Sequence, residues 1–181
     1  MEEFKRYAHN PPHYFKTGAK YFITASTYLR KDFLSMNEAK SILLQSIKKG
    51  FSKYSWLLED WVILNNHYHL MVQCSDRPDS LPQIINEIHR FSALKIKKVI
   101  DDLRLEKRIW YNYWDTCVAY ERSYYARINY IWFNPVKHCY VNHPSKWEFG
   151  SFYERFHNGE NDLKKIIAEY PCDRLNVKDY F

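Results

Sequence analysis

His67 and His69 stand in the run Trp61-Val62-Ile63-Leu64-Asn65-Asn66-His67-Tyr68-His69-Leu70-Met71-Val72. The run has strand composition, and strand side chains alternate faces. Both imidazoles therefore leave one side, roughly 6–7 Å apart along the backbone, while Tyr68 points the other way. Two neutral imidazoles so spaced can share a divalent cation. Further along, Tyr130-Ile131-Trp132-Phe133-Asn134-Pro135-Val136-Lys137-His138 carries a second set of polar groups. On a helix, Tyr130 and Asn134 share a face with Cβ atoms about 5–6 Å apart. Arg127 joins that face, whereas Tyr124 and Tyr125 turn away. If this helix packs beside the histidine strand, two imidazoles, a phenol and an amide oxygen converge.

Such a set has a coherent use. Two imidazoles and a carboxamide oxygen suit Mg²⁺ or Mn²⁺ moderately and leave positions for water and a phosphate oxygen. The cation would polarise a phosphodiester and offset the charge developing on it. A phenol attacks well only when deprotonated locally or by nearby positive charge, here Arg127 or the metal. Attack on DNA would give a phosphotyrosyl link and a free hydroxyl. The ester energy is kept, so rejoining needs no ATP, in agreement with the lack of a Gly-rich phosphate loop. A bare His-x-His is common, Tyr-x-x-x-Asn is nearly uninformative, and Pro after a helix is an ordinary stop signal. Only the joint pattern carries weight. The other histidines, His9, His13, His89, His138, His143 and His157, are expected at the surface or in structural roles.

The elements that must position these groups follow from periodicity. Residues 1–20, with Pro11-Pro12 and Gly18, look irregular. Tyr21–Leu29 reads as a strand. Ser35-x-x-Glu38 is a capping box opening a helix with Ala39, Ile42, Leu43, Ile47 and Phe51 inward. Trp56–Leu64 and His67–Cys74 read as a hairpin, with Asn65-Asn66 turning through positive φ. Met71 and Gln73 would share the histidine face, and Tyr68, Leu70, Val72 and Cys74 the opposite one. Ser80-x-x-Gln83 is a second capping box, before a helix reaching Leu103. Trp110–Tyr120 reads as the fourth strand. Ser123 caps a helix through Asn134, which Pro135 should end. Residues 146–151 read as a loop, and Asp162–Glu169 as a short helix before an extended tail. The order predicts an α+β fold, an antiparallel sheet with helices packed on it.

The 181 residues fit one domain, spanning 1–181, with a core at about 10–155 and a C-terminal helix and tail at 156–181. No apolar stretch reaches bilayer length, so no membrane partner is expected. The opening Met1–Arg6 is no secretory signal, leaving the cytoplasm as the expected compartment. The net charge of +6 and pI of about 9.0 fit a polyanionic partner. The four cysteines lack any Cys-x-x-Cys spacing, which argues against a zinc knuckle. Aromatic residues make up 18% of the chain; most serve the core, yet rings beside basic residues also suit unpaired bases.

Asn66-His67-Tyr68-His69-Leu70 resembles the His-hydrophobic-His motif of the HUH nucleases, and Tyr130-Ile131-x-x-Asn134-Pro135-Val136-Lys137 resembles the catalytic-helix signature of the single-tyrosine transposases. The branch it looks like is the REP-associated tyrosine transposases, relatives of the small IS200-like transposases. Gly18-Ala19-Lys20-Tyr21-Phe22-Ile23-Thr24 resembles that branch's opening strand, and Trp110-x-x-x-Trp114-Asp115 its strand before the catalytic helix. The similarity spans about residues 10–155. It implies a ferredoxin-like sheet with the His pair on a central strand, and a 5′-phosphotyrosine link to single-stranded, hairpin-forming DNA. It implies Mg²⁺ or Mn²⁺ held by His67, His69 and Asn134, with Tyr130 as nucleophile. It also implies a prokaryotic, nucleoid-associated setting. The family often has Pro at the place of Asn65 and His at the place of Trp132. The first difference should alter only the turn, and the second could alter substrate contacts.

Arg30, Lys31, Arg90, Lys95, Arg127 and Lys137 are further candidates for touching DNA. The alternatives are a domesticated protein that grips hairpin DNA without cutting, and a metal hydrolase in which Tyr130 is only structural. The sequence leaves open a homodimer with shared sites.

Overall fold

A computed structural model of the chain describes residues 16–172 and 175, together with the backbone at 4–5 and 13–14. Four strands form the sheet: β1 (Lys20–Thr27), β2 (Leu57–Ile63), β3 (His67–Gln73) and β4 (Trp110–Val118). Among the described residues five α-helices accompany them: α1 (Asn37–Lys53), α2 (Leu81–Val99), α3 (Glu121–Lys137), α4 (Ser151–His157) and α5 (Leu163–Glu169). The strand order is β2-β3-β1-β4 with every pairing antiparallel. With chain order β1-α1-β2-β3-α2-β4, this is the expected α+β, ferredoxin-like arrangement. Strand β3 is paired on both sides, so His67 and His69 lie on a central strand.

Period-two alternation divides the core. Tyr21, Ile23, Tyr68, Leu70 and Val72 face α1 and α2. Phe22, Val62 and Met71 face the other way, toward Ile128, Tyr130, Ile131 and Trp132 of α3. The histidine face is therefore covered by α3, which lies mainly over β2 and β3.

Several local expectations need correction. Neither capping box forms: α1 starts after Met36 without a side-chain cap, and Ser80 Oγ instead donates to the Arg77 carbonyl and accepts from Trp56 Nε1. At Ser80 a partner distant in sequence, Trp56, takes the hydroxyl. Helix α2 ends at Val99, and residues 101–103 form a separate 3-10 turn. Ser123 is no cap; α3 begins at Glu121, and Ser123 accepts from Arg127. Asn65-Asn66 does turn the hairpin, closed by Leu64 N–H to the His67 carbonyl at 2.8 Å. It does so without positive φ at either asparagine. Residues 147–150 run beside β2, with a bridge between Val62 and Gly150, and lead into the unforeseen α4. In the region read as irregular, Phe4–Lys5 and His13–Tyr14 pair as a short antiparallel ladder. His9 and residues 176–181 of the tail lie outside the described residues.

The most consequential departure is that α3 runs through Pro135 to Lys137. An interior proline removes one helical hydrogen bond, at a cost of about 3 kcal/mol. The helix closes just beyond it, where His138 N–H bonds the Asn134 carbonyl and Cys139 takes φ of 58°.

The rotation of α3 is fixed from the side opposite Tyr130. The Trp132 indole is buried, and its Nε1–H donates to Asp60 Oδ1 of β2 at 2.7 Å. This indole therefore makes a core contact. Asp60 also accepts from Ser151 and from two nitrogens of Arg155 on α4. Burial pushes its carboxyl up, while Arg155, Ser151 and Trp132 pull it back. Removing one partner of a buried charge leaves the other uncompensated. Arg155→Met should therefore cost about 2–4 kcal/mol, read as a lower urea midpoint; a loss below about 0.5 kcal/mol, typical of a surface pair, would contradict this role.

Candidate active site

The imidazoles are held from behind. Thr24, paired with His69 across β1 and β3, sets its Oγ1 2.8 Å from His69 Nδ1. Asn66 Nδ2 donates to the Arg30 carbonyl at 3.2 Å, which turns Asn66 Oδ1 toward His67 Nδ1 at 2.7 Å. An acceptor there requires the proton on Nδ1, so His67 presents the Nε2 lone pair to the site. Asn134 Oδ1 faces that lone pair at 3.0 Å.

Two acceptors at this distance repel. The contact becomes favourable when a cation lies beside both, or when the amide turns its NH₂ inward. Neighbouring corners of an octahedron with bonds of about 2.1 Å are about 3.0 Å apart, so the separation of His67 Nε2 and Asn134 Oδ1 matches two ligands of a Mg²⁺-sized ion. Among the described residues no three His, Cys, Asp or Glu side chains gather as a metal cluster. The protein thus offers neutral donors, two imidazoles and an amide.

Tyr130 meets this pair within the same chain. Its ring lies edge-on to His69, with centroids 5.2 Å apart, and edge-on to Phe22 at 6.1 Å. Phe22 in turn stacks on His69 at 5.5 Å. Lys137 Nζ donates to Tyr130 Oη at 3.2 Å, a contact made possible by the passage of α3 through Pro135. Seven residues apart, the two side chains share a face two turns apart.

His67, His69, Tyr130 and Asn134 are all nearly inaccessible, at 1%, 0%, 5% and 1% exposure. Burial drives the His67 pKa down to about 3, and the nearby His138, Lys137 and Arg30 push the same way. Burial likewise holds His69 well below its usual value. Both rings are therefore neutral at physiological pH, the form that binds metal.

Of the other candidates, Arg127 does not reach the phenol. It bonds Ser123 and lies with Cζ 5.8 Å over the Phe22 ring. Lys137 holds the position the sequence assigned to Arg127. Arg30 is exposed on the turn after β1, near His67. Lys31 beside it pairs with Glu106 at 2.8 Å. Arg90 and Lys95 lie on α2, across the sheet from the histidines. His138, expected at the surface or in a structural role, stands with its ring centroid 5.1 Å from that of His67. Its spacing of four from Asn134 was a usable signal, hidden by ending the helix at Pro135. Tyr124 and Tyr125 line a separate cleft at the start of α3.

No family model matches the chain. A REP-associated tyrosine transposase of Escherichia coli K12 is 27% identical over 154 residues, covering 84% of each chain. A Haemophilus influenzae protein named as a candidate of the same kind is 25% identical over 179 residues, covering 88% of this chain and 89% of that one. A solved structure of a REP-associated tyrosine transposase bound to a REP hairpin superposes with a TM-score of 0.68 at 24% identity, covering 88% of this chain and 87% of that one. The chain is thus similar in sequence to the REP-associated tyrosine transposases, the resemblance its motifs carry, and shares the fold of the solved one. Among the described residues no helix is long and apolar enough to cross a membrane.

Two measurements follow from the site. Unfolded imidazoles protonate near pH 6.5, whereas His67 and His89 do so only near about 3 in the folded chain. The unfolded state then binds more protons below about 6.5, so stability complete above that pH is lost as pH falls toward about 3. His89→Gln, which removes the ring stacked on Trp110 across the sheet, should flatten that slope in urea midpoints measured without metal; an unchanged slope contradicts the assignment. Separately, saturating Mn²⁺ should stabilise the fold by about 2–3 kcal/mol at 100 times Kd. His67→Ala and His69→Ala should abolish the shift in Tm, and a shift that survives both places the ion elsewhere.

Proposed function

We propose that the protein is a metal-dependent single-stranded DNA transposase or endonuclease that cleaves and rejoins strands at hairpin-forming repeats through a 5′-phosphotyrosine at Tyr130. The observation that carries the reading is the meeting of His67, His69, Asn134 and Tyr130 in one buried site of a single chain. The relatives' names, and the hairpin bound to the solved neighbour, supply the substrate class.

His67 Nε2, His69 Nε2 and Asn134 Oδ1 would hold a divalent cation, Mg²⁺ or Mn²⁺. When bound, it supplies Lewis-acid polarisation of the scissile phosphate. The chain's own residues do the rest. Phe22 and His69 fix the plane of the Tyr130 ring. The Lys137 ammonium offsets the negative charge that Tyr130 Oη gains as its proton leaves to solvent. The Oη–P bond forms as the P–O3′ bond breaks, and the 3′ oxygen takes up a proton. The resulting ester is as high in energy as the one cut, so a second 3′-hydroxyl can reverse the step and rejoin the strands. Thr24 and Asn66 hold the imidazoles in the orientation this requires.

Incubation with single-stranded hairpin oligonucleotides and Mn²⁺ should give a covalent protein–DNA adduct on a denaturing gel. Tyr130→Phe should abolish it, and scission surviving in that variant would instead mark a metal hydrolase. Lys137→Met should slow single-turnover adduct formation by about 10²-fold while DNA affinity, the sum of many phosphate contacts, changes by less than about ten-fold. Equal losses in rate and affinity would make Lys137 a phosphate contact only.

A further inference from the structure

The motif Trp110-x-x-x-Trp114-Asp115 is only half accounted for by the core. Trp110 packs inward against Tyr68, at 5.6 Å between centroids, and stacks on His89 at 4.5 Å. Trp114 does not follow it. It pairs with Thr24 across β1 and β4, and Thr24 in turn pairs with His69. Directly opposed residues share a face, so Trp114 lies on the histidine face, two strands from His69, or about 10 Å.

On this face α3 lies mainly over β2 and β3, and the Trp114 ring stays open, at 37% exposure. Tyr111, shifted onto the same side by the register irregularity between Ala25 and Thr27, is 43% exposed, with its ring centroid 6.0 Å from that of Trp114. Arg108 completes the group. Its guanidinium sits 5.6 Å from the Tyr111 ring centroid and 5.4 Å from that of Tyr28, with Nε donating to the Trp110 carbonyl at 2.7 Å. The turn carrying Arg30 adjoins it, since Tyr28 N–H bonds the Ile109 carbonyl at 2.7 Å.

We infer that Tyr111 and Trp114, flanked by Arg108, form a platform on which an unpaired base of single-stranded DNA stacks next to the reacting phosphate. This rests on the strand-cleaving function proposed above. Flat rings accept any base by its π face, and a guanidinium at their margin takes the adjoining phosphate. The chain's charge of +6 suits the same occupant. The platform adds a task for β4: it orients the strand entering the site, whereas the histidines and Tyr130 act on one phosphate of it.

The test compares fluorescein-labelled oligo(dT) of 15 nucleotides with a 15-mer in which the central bases are replaced by abasic sites, which keeps the phosphates. Wild-type protein should bind the complete strand more tightly, by about ten-fold, the scale of one or two stacked bases. Trp114→Ala should erase that preference, Tyr111→Ala should reduce it, and Trp114→Phe should retain most of it, with Tm unchanged in all three. Adduct formation with Mn²⁺ is measured on the same proteins. If Trp114→Ala binds both strands as wild type does while the adduct still forms, the platform is overturned and the cleavage reading stands. If the adduct never forms yet base-dependent binding vanishes with Trp114, the platform stands and the cleavage reading falls. A self-association lost in Trp114→Ala, with oligo(dT) affinity intact, would assign the rings to a second copy and also overturn the proposal.

Discussion

Helix α3 has to offer two residues to one pair of imidazoles, and its rotation about its own axis decides whether it can. Each residue advances the helix by about 100°, so a slip of one position would carry the phenol and the amide off the sheet together. The Trp132–Asp60 hydrogen bond prevents that slip. It joins the far side of α3 to β2, while Tyr130 and Asn134 meet β3 on the near side. Arg155 and Ser151 keep Asp60 ionisable within the interior. A buried carboxylate remote from the chemistry thereby governs the geometry of the site.

The electrostatics of the site are lopsided. Its imidazoles are neutral because burial and neighbouring cations oppose their protonation. Lys137 and Arg127 bring positive charge on α3. Among the described residues no carboxylate joins the two histidines to form a metal-holding cluster. A hard cation on neutral donors alone is weakly held, and the missing negative charge is what a DNA phosphate supplies. On the proposed function, metal and substrate would therefore reinforce each other's binding. Without DNA the site would need a higher concentration of the cation to fill.

Much of this was readable in the sequence because two periodicities report directly on faces. Period two put His67 and His69 on one side of a strand and Tyr68 on the other. A spacing of four put Tyr130 and Asn134 together. What failed to show was decided by which partner each side chain meets, which spacing alone does not reveal. Ser35 and Ser80 have the composition of helix caps, yet Ser80 is claimed by Trp56. Pro135 reads as a stop, yet α3 tolerates it and so delivers Lys137 to the phenol. Arg127 lies at the right spacing, but Ser123 one turn earlier takes its guanidinium. Arg90 and Lys95 lie on α2, with the sheet between them and the histidines, which their spacing does not report. Spacing reports the face of one element, and only the fold reports which faces meet.

The central claim is that one chain brings a phenol oxygen to a cation held by His67, His69 and Asn134. Anomalous diffraction from crystals of the protein grown with Mn²⁺ tests it most directly. The account predicts a single strong peak about 2.0–2.3 Å from both His Nε2 atoms and Asn134 Oδ1, with Tyr130 Oη of the same chain within about 6 Å, the range over which a charge acts on a neighbouring group. A peak away from the histidines, or a Tyr130 hydroxyl turned away from an ion bound there, would contradict it.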